Sequence, residues 1–211
     1  MYNPRWYKEE RLEVLQAAVD RISFGTIITN STSGILASHV PMLIDRSRGE
    51  RGTLFGHVAK GNSQWRESRQ DADGLAVFLG PDAYISPSWY QTKRETGKVV
   101  PTWNYAAIHV RGPVAFFEDS ERLRDVVTKL TRHHEADSKE PWQVTDAPAG
   151  YISDQLKLIV GFEMPIASIE GKWKMSQNRP QADIDGATAA LRKRGRLQDE
   201  AVSREMEGRK P

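Results

Sequence analysis

Gly56-His57-Val58-Ala59-Lys60-Gly61-Asn62-Ser63-Gln64-Trp65 reads as a strand that runs through a glycine-containing turn into a helix. A helix start offers unpaired amides and the positive end of the backbone dipole. Lys60 just before it adds a full charge, so this stretch is the best anion site in the chain. The helix is expected over Asn62 to Gln70, with Asn62 or Ser63 as its cap. Outward from this stretch the same texture continues. Phe24 to Asn30, Ile35 to Ile44, Gly52 to Ala59 and Leu75 to Leu79 are short β-branched or aromatic runs separated by Gly, Ser, Asn and Asp. Thr32-Ser33-Gly34 reads as a hairpin, and Arg46 to Gly52 as the loop joining the next pair. The expectation is a meandering antiparallel sheet.

Helices surround these strands. Leu12, Leu15, Val19 and Ile22 recur at spacings of three and four, which predicts an amphipathic helix over Lys8 to Ile22. Trp103 to Glu118 is a long strand candidate with a bend at Gly112-Pro113, because proline is tolerated only at an edge or bulge. Ser120 is read as the cap of a helix carrying Leu123, Val126, Val127 and Leu130, and a last strand is expected over Ile159 to Ile169. Beyond Pro180 the composition turns charged and helix-favouring, with the run Arg192-Lys193-Arg194-Gly195-Arg196. The expected organisation is a domain over residues 1–180 followed by a charged helical tail over 181–211. Strands with peripheral helices and no regular strand-helix alternation argue for an α+β barrel over a doubly wound sheet.

Composition removes whole classes. The 211 residues carry no cysteine, which excludes disulfides, thiolate nucleophiles and cysteine-ligated metals. A formal charge of +2 is too balanced for the bulk electrostatics of a nucleic-acid binder, so any anion site must be local. No stretch approaches the roughly 20 apolar residues that cross a bilayer, and the start lacks a signal-peptide core; a soluble, cytoplasmic protein without membrane contact is expected. Neither a dinucleotide fingerprint, a phosphate loop nor a serine nucleophile elbow occurs. His133 and His134 point about 100 degrees apart on a helix and cannot share a metal, and no metal site is expected.

Three further segments hold polar and aromatic groups. In Leu36-Ala37-Ser38-His39-Val40-Pro41, small residues let a flat ligand approach the backbone, and Pro41 stops the strand ladder; an ordinary edge strand with a hydrogen-bonded His39 reads the same way. Tyr84 to Tyr90 and Pro101-Thr102-Trp103-Asn104-Tyr105 combine ring faces with directional hydrogen-bonding groups, suited either to a planar ligand or to a dimer interface. In Gly171-Lys172-Trp173-Lys174-Met175-Ser176-Gln177-Asn178-Arg179, strand geometry puts Lys172, Lys174 and Ser176 on one face as a basic strip, as it also would in a solvated edge strand.

Taken together, Ala37 to Pro41, Gly56 to Lys60, Tyr84 to Tyr90, Val100 to Tyr105, Pro141-Trp142, Asp146-Ala147-Pro148 and Gly171 to Arg179 resemble the PaiB-like proteins, described as FMN-binding negative transcriptional regulators. The resemblance spans Met1 to about Leu191. It implies an antiparallel, Greek-key-like split β-barrel working as a homodimer, with FMN in a cleft at the interface. The implied phosphate grip falls on His57, Lys60, Asn62 and Gln64. The ring is implied along Ser38, His39, Val40 and Pro41, closed over by Trp103, Asn104 or the partner's Lys174, Ser176 and Gln177 segment. Ser63 stands where the family pattern has proline, a mild change because serine also starts a helix. Flavin-dependent redox activity is one extension. Two alternatives are a flavin-free repressor touching DNA through Arg192 to Arg196, and a haem protein using His39, His57 or His109 as axial ligand.

Overall fold

Strand β1 (Lys8–Glu9) and helix α1 (Leu12–Ile22) lead into the hairpin strands β2 (Phe24–Ser31) and β3 (Gly34–Asp45). Then follow β4 (Thr53–Ala59), α2 (Gln64–Glu67), β5 (Gly74–Ile85), α3 (Gln91–Thr96), β6 (Thr102–Gly112), β7 (Ala115–Phe117) and α4 (Ser120–His134). The chain continues through α5 (Ala149–Leu156), β8 (Ile159–Pro165), β9 (Ser168–Lys174), α6 (Gln181–Arg194) and α7 (Leu197–Gly208). This computed structural model describes residues 1–209. The chain folds as two units, one of Met1–Arg11, Leu79–Ile108 and the residues from Glu170 onward, the other of Leu12–Phe78 and His109–Ile169.

In the second unit the strand order is β5-β2-β3-β4-β8-β7, with every ladder antiparallel. The β2–β3 register runs from Phe24↔Pro41 to Ser31↔Gly34, so the hairpin turns at the predicted residues. On one face of the sheet α4 and α5 bury Leu123, Val126, Leu130, Ile152 and Leu156 against Leu43, Phe55 and Phe117. Each such side chain contributes about 1.5–3 kcal/mol of burial, which makes this layer a main source of the unit's stability.

Several boundaries differ from the sequence expectation. Helix α1 starts four residues late, because Lys8 and Glu9 pair with Lys172 and Gly171 as a strand. The long strand is broken at Pro113-Val114 as expected, but β5 runs on to Ile85. The cap of α4 is Asp119, whose carboxylate accepts from Arg122 N–H at 2.9 Å, one residue before the expected Ser120. The strand expected over Ile159 to Ile169 is two strands, β8 and β9. The helix expected over Asn62 to Gln70 is the single turn α2; Arg69 N–H bonds Asn30 O at 2.8 Å and draws the chain back to β2.

In the first unit the order is β1-β9-β6-β5. Helices α6 and α7 have few apolar residues but use them, burying Ile184, Ala187, Leu191, Val202 and Met206. The basic run that links them is internally paired: Arg192 meets Glu207 at 2.6 Å, and Arg194 pairs with Asp199 and lies over Trp89. The Arg194 pair, with its carboxylate buried, holds that cation in place, whereas the exposed Arg192 pair is exchangeable. Glu9 anchors the start of the unit, accepting from Arg11 N–H at 3.0 Å, Arg11 Nη2 at 2.7 Å and Arg209 Nη1 at 3.2 Å.

Two tests follow from these contacts. Gly112 sits at the bend against backbone, and an added Cβ would lie 2.1 Å from Pro165 O, which cannot swing aside. Gly112→Ala should cost about 1–3 kcal/mol in chemical denaturation. The Glu9 carboxyl is held at about 2 against an ordinary 4.5, chiefly by its hydrogen bonds to Arg11. A depressed carboxylate stabilises above its unfolded pKa and loses that contribution as pH falls through the folded value. Unfolding free energy measured from neutral pH downward should therefore decline between about 4.5 and 2, and Glu9→Gln should flatten that part of the curve.

Candidate functional site

The ladder between β3 and β4 runs only from Asp45↔Thr53 to Met42↔Gly56. The next residue of β3, Pro41, has no N–H to continue it. From Pro41 back to Gly34, β3 stays paired to β2, while β4 continues from His57 to Ala59 against β8. The two strands thus part, with Ser38 to Pro41 on one lip and His57 to Asn62 on the other. Gly56 sits at the fork, where a Cβ would come 2.7 Å from Pro41 O, so only glycine lets the strands approach so closely before dividing.

One side chain spans the opening. Asn62 Nδ2 donates to Ser38 Oγ at 2.7 Å, and its Oδ1 accepts from Gln64 N–H at 2.9 Å, so Asn62 rather than Ser63 caps α2. The turn is rigid: Asn62 N–H bonds Ala59 O at 2.9 Å, and Lys60 O accepts from Trp65 Nε1 and Arg66 Nη2, each at 3.1 Å. Lys60 Nζ meets Glu118 at 2.7 Å, with the two side chains 47 and 48% exposed. Such a pair is worth about 0–1 kcal/mol, so Lys60 is readily available to another anion.

The other residues singled out on this unit have distinct placements. His39 is exposed and Thr26 Oγ1 lies 2.8 Å from its Nδ1. Val40 and Pro41 are half-buried. Gln64 points inward, its Nε2 donating to Ile27 O at 3.2 Å and Thr29 Oγ1 at 3.0 Å, so it ties the turn to β2. His57 is largely enclosed, its Nδ1 has no hydrogen-bond partner among the described residues, and burial pushes its pKa down.

In the first unit, Trp103 is exposed and packs edge-on to Tyr84 at 6.2 Å. Asn104 is fully buried and exchanges hydrogen bonds with Ser176, Nδ2 to Oγ at 3.0 Å and Oγ to Oδ1 at 3.1 Å. Lys174 Nζ donates to Thr102 Oγ1 and, at 2.9 Å, to Trp103 O. Gln177 folds back on its own strand end, donating to Trp173 O at 2.6 Å and accepting from Met175 N–H at 2.7 Å.

The sequence reading passed over Thr26 and Glu118. Thr26 was within reach, since a hairpin turning at Thr32-Ser33 puts it opposite His39. Glu118, distant in sequence from Lys60, carried no local signal.

The fold gives the class. Among solved structures the chain resembles the FAD and haem binding protein from Mycobacterium smegmatis, with TM-score 0.60, 12% identity, and 85% of this chain and 79% of that one covered. It also resembles the flavocytochrome Anf3 from Azotobacter vinelandii, with TM-score 0.58, 9% identity, and coverage of 80% and 69%. The architecture is the α+β split β-barrel of flavin-binding proteins.

The sequence comparison then gives the family. Residues 1–168 match the model of the "Putative FMN-binding domain" family. The chain is 34% identical over 183 residues to the protease synthase and sporulation protein PAI 2 of Bacillus subtilis, covering 87% of this chain and 85% of the relative. It is 32% identical over 230 residues to an uncharacterized protein of Emericella nidulans, covering 92% of each. The chain belongs to the FMN-binding domain family, and its cofactor is FMN.

His57 supplies a test. A buried neutral imidazole resists protonation, so the folded state binds fewer protons than the unfolded chain below the ordinary value of 6.5. Stability should be level above that pH and fall as pH drops below it, and His57→Gln should remove this component in pH-dependent thermal unfolding.

Proposed function

We propose that the cleft between β3 and β4 holds FMN, with its phosphate against Lys60 and Asn62 and its ring along the free edge of Ser38 to Pro41. The parting of the strands at Pro41 carries this reading, since it opens unpaired backbone beside a fixed amide and an available cation. His57 Nδ1, enclosed without a partner, is a hydrogen-bonding group left over for a ligand atom. Gln64 serves from behind, holding the turn in place. FMN when bound supplies reversible electron transfer; the protein's part is to fix the phosphate, orient the ring and limit water at the cleft.

The working form is a homodimer. Phe24 and Ile35, 59 and 75% exposed, share a sheet face with Thr26, Ala37 and His39, an apolar strand surface suited to a second copy. A cytoplasmic regulatory role is part of the same proposal; the name of the Bacillus relative speaks of protease synthesis and sporulation. It acts through the flavin, with Arg194 of the basic run held by the buried carboxylate of Asp199.

The test is the visible spectrum of the purified protein before and after FMN is added. Flavin bands are expected. Lys60→Ala and Asn62→Ala should each weaken FMN about 10- to 100-fold while leaving riboflavin affinity unchanged, the value of one charge-assisted phosphate contact. Failure to bind FMN at micromolar concentration, or equal loss of both flavins, rejects the placement.

A further inference from the structure

The segment that closes β9 gathers three cations that neutral groups, and no paired carboxylate, meet among the described residues. Lys172 is only 7% exposed, and Lys174 and Arg179 are half-buried. Among the described residues no carboxylate forms an ion pair with any of the three. Lys172 Nζ has Tyr2 O at 3.0 Å and the rings of Tyr2 and Tyr105 within 5.4 and 5.3 Å. Lys174 has only the neutral oxygens of Thr102 and Trp103. Arg179 lies over the Tyr90 ring at 5.0 Å. Burying cations without a counter-ion is costly, so natural proteins pair them unless a ligand does so.

The neutral groups lean the same way. Trp173 Nε1 is an enclosed donor without a partner among the described residues, and the Tyr90 hydroxyl has only Ser176 beside it. Ser176, beside Tyr90, is committed to Asn104. Among the described residues of this unit two enclosed acceptors are also left over, Asn3 Oδ1 and Asp183 Oδ2, the latter on a carboxylate whose other oxygen accepts from Thr92 N–H at 2.9 Å. The backbone is strained at the same place. Ser176 has φ +65, a left-handed conformation unusual for a non-glycine residue, fixed by the reciprocal bonds to Asn104. Such strain persists where the surroundings enforce it, and it clusters at ligand sites. Here it turns the chain between Lys174 and Arg179. Burial first, and then the charges of Lys172 and Arg179, pull the Lys174 pKa down.

We infer that Lys172, Lys174 and Arg179 form an oxyanion site for a phosphate or carboxylate group, separate from the Lys60 turn. The inference does not depend on where the FMN phosphate lies. The anion has two sources, a second ligand with an acidic group or the flavin's own phosphate, and the experiment distinguishes them.

Inorganic phosphate is titrated by calorimetry into the full-length protein at constant ionic strength, followed by FMN and riboflavin. Wild type should bind phosphate saturably. Lys174→Gln and Arg179→Gln should each weaken it about tenfold or more, and Lys174→Arg should restore most of the binding. Lys60→Ala should leave a phosphate site of wild-type affinity. Thermal unfolding of each variant reports whether the fold is intact, and the Lys174→Arg rescue separates charge from packing. An unchanged preference for FMN over riboflavin in Lys174→Gln assigns the site to a second, acidic ligand. Loss of that preference there, with none in Lys60→Ala, assigns it to the flavin phosphate and moves the phosphate away from Lys60. The inference is overturned if folded wild type binds no phosphate up to ~50 mM, where even a weak site would fill. It also fails if Lys174→Gln and Arg179→Gln bind as wild type does.

Discussion

The missing N–H of Pro41 is the constraint on which the cleft depends. A sheet ladder continues as long as each residue can donate, and β3 cannot do so there toward β4. Strand β4 therefore goes on with β8 alone, β3 with β2 alone, and backbone that a continuous sheet would consume is left beside the Lys60 turn. Everything else at this site secures the fork. Gly56 lets the strands touch before dividing, Asn62 bridges them, and Gln64 bolts the turn to Ile27 and Thr29.

Charge is handled differently in the two units. On the second, cations are met by carboxylates: Arg48 and Arg122 by Glu163, Lys129 by Asp45 and Asp125, Lys60 by Glu118. On the first, Glu9 and Asp199 neutralise arginines near the termini, yet the segment from Lys172 to Arg179 is left cationic in a partly enclosed setting. A near-neutral total conceals this asymmetry, because net charge averages over groups that tertiary structure separates.

Legibility in the sequence followed the range of the interactions. The hairpin at Thr32-Ser33, the break at Pro113 and the end of the β3–β4 ladder at Pro41 were readable because turn chemistry and proline act locally. Helix limits were less so. Lys8 and Glu9 became strand through a partner far along the chain, and α2 shrank to one turn because β2 captured the chain after it. The tail's composition is charged and helix-favouring, and its five buried apolar side chains leave little mark on it.

The sequence by itself determined the kind of structure and its local breaks: antiparallel strands from alternation and turns, a stop at Pro41, and a cation before a capped turn. Each follows from covalent geometry within a few residues. Only the tertiary structure decided that Asn62 spans to Ser38, that Gln64 faces inward, that Lys60 has an exchangeable partner in Glu118, and that Lys172, Lys174 and Arg179 have no paired carboxylate among the described residues. Hydrogen-bond partners and burial are set by which distant segments fold together, and no local pattern carries that information.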